Sequence, residues 1–162
     1  PSFASGDLVF NLGVPIQRSF DVSGGKLRVT SSLWTTGVET PEEVVDGIVD
    51  LRALYGKDTD NNNIVDQYDT ATPTTGAGWL QVQAVKIGLL ARIGNYEKKS
   101  VGAAECDATT VVPAWSGSAV AGQVTTANPF QAISVASGSE DRCYRYRVFE
   151  TTVPLRNMIW RP

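Results

Sequence analysis

Between Asp58 and Asp69 the chain reads Asp-Thr-Asp-Asn-Asn-Asn-Ile-Val-Asp-Gln-Tyr-Asp, with four aspartates and three asparagines in twelve residues. A plain surface turn needs one or two such residues. Calcium takes six to eight oxygen ligands from carboxylates, carbonyls and water, and a twelve-residue loop offers them at positions 1, 3, 5, 7, 9 and 12. Those positions fall here on Asp58, Asp60, Asn62, the backbone carbonyl of Ile64, Asp66 and Asp69. Two positions depart from the pattern. Asn63 stands where a glycine is usual, although asparagine tolerates the left-handed region. Asp69 stands where a longer glutamate reaches a bidentate position more easily. Such a loop is expected to hold calcium as a structural clip, with affinity on the order of 10⁻⁴–10⁻³ M. Ile64 is expected to pack the loop against the core. Without a cation the carboxylates repel one another and the loop should loosen. The other reading is a solvated Asx-rich turn with no metal.

Other chemistries have little to build on. The chain contains no histidine, which removes the usual nucleophile pairs, the usual zinc sites and the commonest general base. Glu42/Glu43 and Glu140/Asp141 are carboxylate pairs of the kind glycosidases use, but the first pair is better explained by the start of a helix. No Gly-rich phosphate loop follows a strand. Tyr144, Arg145, Tyr146 and Arg147 interleave aromatic and basic residues, and Arg142, Arg156 and Arg161 add charge nearby. Nucleic-acid surfaces look like this; so does a solvated strand face with its tyrosines turned inward, which is favoured. The two cysteines, Cys106 and Cys143, are not a CxxC pair. A single disulfide is preferred to two free buried thiols, and implies an oxidising compartment.

The elements that position these residues follow from local pattern. Residues 7–12 (DLVFNL) read as a strand. In SFDVSGGKLRVTSS, Phe20 and Val22 alternate with polar neighbours, Gly24-Gly25 turns, and Leu27 and Val29 alternate again, a hairpin signal. TPEEVVDGIVDLRALYG reads as the clearest helix. Thr40 caps it, Pro41 opens it, Glu43 completes a capping box, and Val44, Ile48, Leu51 and Tyr55 fall on one stripe. After the turn PTTGAG, residues from Trp79 onward (WLQVQAVKIGLLARIG) carry apolar residues on both faces and read as a central strand covered on both sides. Residues 100–142 are rich in Ala, Ser, Thr, Gly and Val and read as a loop-rich insertion held by the two cysteines. CYRYRVFETTV is a strong strand signal, with Pro154 ending it or placing it at an edge.

The chain has 162 residues, 42% hydrophobic and 19% charged. That fits one domain spanning 1–162 with a sizeable core. Fourteen basic against seventeen acidic residues give a net charge of −3, no general drive toward nucleic acid or an anionic membrane. No signal peptide or membrane span is visible. The chain starts at Pro1 rather than Met, which reads as a fragment from which something in front has been removed.

Three stretches together carry a family resemblance: VVDGIVDLRALYGKDTDNNNIVDQY, GWLQVQAVKIGLLARI and YRYRVFETTVPLRNMIW. Leu51, Tyr55 and Gly56 lead into Asp58–Asp60, Trp79 precedes Val85–Arg92, and Arg147–Asn157 closes the chain. In that order they resemble the C-terminal part of PilW-type minor pilins of bacterial type IV pili, and RSFDVSGGKLRVT is similar to the segment in front. The resemblance implies an α+β, pilin-like head: an antiparallel sheet packed on a helix, with the insertion closed by a disulfide. It implies a non-enzymatic subunit that primes pilus assembly and sits at or near the fibre tip. Its partners would be other minor pilins, the major pilin and a tip adhesin, with the inner membrane reached through a missing N-terminal hydrophobic helix. No small-molecule substrate is implied. The head would be periplasmic before assembly and part of the fibre at the cell surface afterwards. A GspJ-type pseudopilin of type II secretion is similar. A calcium-dependent adhesin is the alternative of another kind; residues 100–142 would be its recognition surface, with an exposed Trp115. DNA capture by the C-terminal arginines is a third, and it would show steep salt dependence.

Overall fold

The computed structural model describes residues 16–33, 37–38, 40–119 and 128–155. The strand expected at 7–12, Arg156 and Arg161 lie outside them. What it shows is chiefly antiparallel sheet with little helix.

β1 (Ile16–Ser23) and β2 (Lys26–Leu33) form the expected hairpin, in register from Ile16↔Leu33 to Ser23↔Lys26. Gly24 and Gly25 sit at φ 61° and 74°. Two consecutive positive φ angles match the right-handed twist of the flanking strands in a two-residue turn. β3 (Gly37–Val38) and β4 (Glu42–Asp46) both pair with β2, completing a first four-stranded sheet.

The helix expected over TPEEVVDGIVDLRALYG is not formed. That segment is β4 followed by β5 (Ile48–Lys57). Gly47, at φ 76°, turns the chain out of the first sheet and into the second. Val44, Val45, Ile48 and Val49 are β-branched and stiff, and favour extended backbone. Tertiary pairing then outweighs local helix signals: β5 runs antiparallel to β7 from Ile48↔Ala91 to Lys57↔Val82. Glu43, expected in a capping box, instead pairs with Lys26 at 2.5 Å.

The second sheet has the order β10-β7-β5-β6, with β6 at Gln67–Asp69, β7 at Val82–Arg92 and β10 at Tyr146–Pro154. β7 is central, as expected, but it starts three residues after Trp79. Thr75 caps a five-residue helix, α1 (Gly76–Leu80), by accepting a hydrogen bond from the Gly78 N–H at 3.1 Å. β10 is an edge strand, with Pro154 as its last residue.

Alternation along β7 separates two faces. Val82, Ala84, Lys86 and Leu90 are buried on one. Around Lys86, Gly88 and Leu90 this face is covered by described residues of the 100–142 segment, which carries β8 (Ala114–Trp115) and β9 (Asn128–Pro129) as a short pair of their own. Trp115, Phe130 and Ile133 from this segment join Leu90 to form the core, and the Trp115 and Phe130 rings stack with centroids 6.1 Å apart. The segment expected as a loop-rich insertion thus supplies most of the core's largest side chains. A 3₁₀ turn (Glu140–Cys143) leads out of it, and Cys106 is bonded to Cys143.

Among the described residues the opposite face of β7 is less fully covered than expected. Val85, Ile87, Leu89 and Ala91 are only partly buried although they lie on a central strand. Leu51, Ala53 and Tyr55 of β5 and Phe149, Thr151 and Val153 of β10 extend the same face by register. Phe149 and Val153 are 48% and 44% exposed.

Candidate metal centre

The aspartate loop leaves the end of β5 and is closed at its base by main-chain bonds. The Asp58 N–H donates to the Gln81 carbonyl at 2.9 Å, and the Asp66 N–H donates to the Lys57 carbonyl at 3.0 Å. Asp58 is buried and organises the turn. Its oxygens accept from the Asn62 N–H at 3.0 Å, the Asn63 N–H at 2.9 Å and the Gln83 Nε2 at 2.7 Å. Asn61 and Asn63 occupy the left-handed region at φ 61° and 64°, so the asparagine standing in for glycine does adopt the conformation a glycine would. Asp60 accepts from the Asn62 N–H and side-chain amide at 3.2 and 2.9 Å. Asn62 Oδ1 accepts from the Ile64 N–H at 2.8 Å. Asp66 accepts from the Thr59 N–H at 3.0 Å and its hydroxyl at 2.9 Å.

Of the six expected ligands, this folding brings Asp58, Asp60 and Asp66 together: one carboxylate oxygen from each lies within 4.8 Å of the others. Calcium–oxygen bonds of 2.3–2.6 Å put opposite ligands about 5 Å apart, so the spacing suits a calcium ion. Each carboxylate has about four lone-pair sites, and the bonds above leave some free. Asp69 is drawn elsewhere. It pairs with Tyr55 in the β5–β6 ladder and accepts from Lys57 Nζ at 2.7 Å, Gln67 Nε2 at 2.7 Å and the Ala71 N–H at 2.8 Å. Ile64 is 65% exposed and does not pack the loop on the core as expected. Two residues with a hold on the loop were not anticipated. Thr59 offers no signal apart from its place in the loop. Gln83 is a polar residue between the apolar Val82 and Ala84 at the start of β7, which is the trace that marks it.

Burial pushes the Asp58 carboxyl up, but the N–H groups of Asn63 and Asn62 outweigh it and hold the group below the usual carboxylate range. The Lys57 hydrogen bond, supported by the Ala71 N–H, does the same for Asp69. A depressed folded-state pKa contributes stability that is fully present above the unfolded value, about 3.9 for aspartate, and is lost as pH falls through the folded value. Urea midpoints measured from pH 6 down to pH 2.5 should therefore fall below about pH 4, and Asp58→Asn should flatten that dependence. An unchanged slope in the variant would show that Asp58 is not one of the groups responsible.

The basic residues near the C-terminus are largely engaged. Arg142 pairs with Glu105 at 3.1 Å, Arg145 pairs with Glu97, and Arg147 lies over the Phe149 ring at 5.2 Å. That gives the DNA-capture alternative no free cluster among the described residues. Trp115 is buried, so the aromatic expected on an adhesin's recognition surface is a core residue instead.

The described residues thus form a disulfide-closed, chiefly antiparallel β domain with an Asx loop at one sheet corner, and disulfides of this kind persist in oxidising compartments. The chain belongs to the type IV pilus-assembly protein W (PilW) family, which it matches over residues 20–157. Membership associates it with the cell envelope and the pilus, and with other components of pilus assembly. No curated protein and no solved structure matches the chain. No helix among the described residues is long and apolar enough to cross a membrane.

Proposed function

We propose that this chain is the head of a non-enzymatic minor pilin that primes type IV pilus assembly at or near the fibre tip. The observation that carries this reading is the partly bare apolar face around Val85, Ile87 and Leu89. In an antiparallel sheet the face away from the core is commonly solvated and polar, so an apolar one of this kind marks an interaction site. An apolar helix laid along that face would complete a pilin-like head, with antiparallel sheet packed on helix. The helix is the N-terminal anchor that the family resemblance implies, and it would connect the head first to the inner membrane and then to the fibre core. Other minor pilins, the major pilin and a tip adhesin are the expected neighbours.

The test is complementation. Ile87→Asp, carried on the whole gene in a strain lacking its own copy, should abolish surface pili while the oxidised head keeps its parental circular dichroism. Normal piliation by a folded variant would overturn the reading.

The same chain is proposed to hold calcium through Asp58, Asp60 and Asp66 as a clip at the corner of β5 and β6. Bound calcium stabilises by about RT ln(1 + [Ca]/Kd), roughly 1–2.5 kcal/mol at 5 mM for a Kd of 10⁻³–10⁻⁴ M. Melting with 5 mM calcium should exceed melting with chelator by a few degrees, and neither magnesium nor Asp60→Ala should reproduce the rise. Equal melting with calcium and chelator would reduce the loop to a hydrogen-bonded Asx turn.

A further inference from the structure

The outer edge of β10 has the make-up of a strand acceptor. Among the described residues β10 has a strand neighbour on one side only. Its register with β7 runs without a bulge from Tyr146↔Arg92 to Pro154↔Ala84. Natural proteins usually guard such edges with bulges, prolines or charges. Here the proline is the last residue. Tyr146 and Val148 turn toward the core. Glu150 lies on that same covered face, where the Ser116 N–H donates to it at 2.9 Å. The bare face of β10 therefore presents Arg147, Phe149, Thr151 and Val153, all exposed. Arg147 lies over the Phe149 ring at 5.2 Å, and no carboxylate pairs with it among the described residues.

We propose that this edge receives an extended strand of another subunit, running antiparallel to β10. That strand would carry a carboxylate opposite Arg147 and apolar or β-branched residues opposite Phe149 and Val153. Main-chain bonds would supply affinity and the alternate side chains selectivity. The charge pattern argues against a second copy of this chain. Directly opposed residues in an antiparallel pair lie on one face. Arg147 and Glu150 lie on opposite faces of β10, so no two-fold pairing of β10 with itself sets the glutamate across from the arginine. The inference relies on the pilus-subunit reading only in calling the donor another subunit.

The probe is a pair of synthetic nine-residue peptides of alternating Thr and Val. Near its C-terminal end, opposite Arg147, one carries Glu and the other Lys. Titrated into the isotopically labelled chain, the Glu peptide should shift the β10 amide resonances and bind about fivefold tighter than the Lys peptide, the scale of a cross-strand charge pair. Arg147→Glu should invert the preference. The proposal is overturned if neither peptide shifts those amides, or if both bind alike. It is also overturned if the chain dimerises through β10 with an affinity that Arg147→Glu leaves unchanged. Each outcome is read on this chain alone, so a failure here leaves the piliation experiment able to succeed.

Discussion

Replacing both Cys106 and Cys143 by alanine is expected to lower the unfolding free energy by about 4 kcal/mol, the chain-entropy cost of freeing a loop of this length. The bridge spans a separation of 37 residues. Between its ends lie Trp115, Phe130 and Ile133, three of the four residues in the core cluster. The chain around it is laced by other bonds. Arg142 donates to the Cys106 carbonyl at 3.0 Å, the Thr109 N–H donates to the Arg142 carbonyl at 3.1 Å, and the Glu97 N–H donates to the Cys143 carbonyl at 2.8 Å. These bonds form only once the two ends are near each other, so the bridge's constraint on the unfolded chain is what makes them cheap to form. Urea denaturation of the oxidised parent, the reduced parent and the double variant measures the effect. The last two should agree with each other and fall well below the first. A loss under about 1 kcal/mol would mean that the segment is held to the sheet without the bridge.

The second large effect is expected at Phe130, which is 1% exposed. Phe130→Ala should cost about 3–5 kcal/mol, as buried aromatic truncations do. Phe130 stacks on Trp115, and Trp115 in turn lies against Gly88, where an added Cβ would come within 2.5 Å of the indole. Val111→Ala in the same segment is the control: Val111 is 77% exposed, and its truncation should stay within about 0.5 kcal/mol. Equal losses in the two variants, measured by chemical denaturation, would show that the segment does not form the core.

Features set by neighbours in sequence were legible. Gly24-Gly25 marked the hairpin, the apolar residues on both faces of the run after Trp79 marked the central strand, and the closing aromatic run marked β10. The left-handed asparagine at 63 was legible for the same reason. Features set by distant partners were not. Val44, Ile48, Leu51 and Tyr55 satisfy a helical stripe, and Thr40 and Glu43 satisfy a capping box, yet the backbone of Ile48–Lys57 finds its bonds on β7. Asp69 fits the twelfth ligand position in sequence, but the β5–β6 register places it beside Lys57 instead. The low-charge composition of 100–142 suggested loops and concealed that its few large apolar residues close the core. Only the sheet that segment covers, formed from strands far apart in sequence, reveals its role.

The proposed function has an apolar helix covering the Ile87 face. The direct measurement is the reaction rate of Ile87→Cys with a maleimide. It is measured in this chain alone and in a version extended by the proposed N-terminal helix, held in membranes. The two native cysteines are bonded to each other and do not compete. Lys98→Cys, in the loop after β7, is the control for general access. If the helix lies there, Ile87→Cys should react readily in this chain and far more slowly in the extended version, while Lys98→Cys should react alike in both. Equal rates at Ile87→Cys in the two proteins would contradict it.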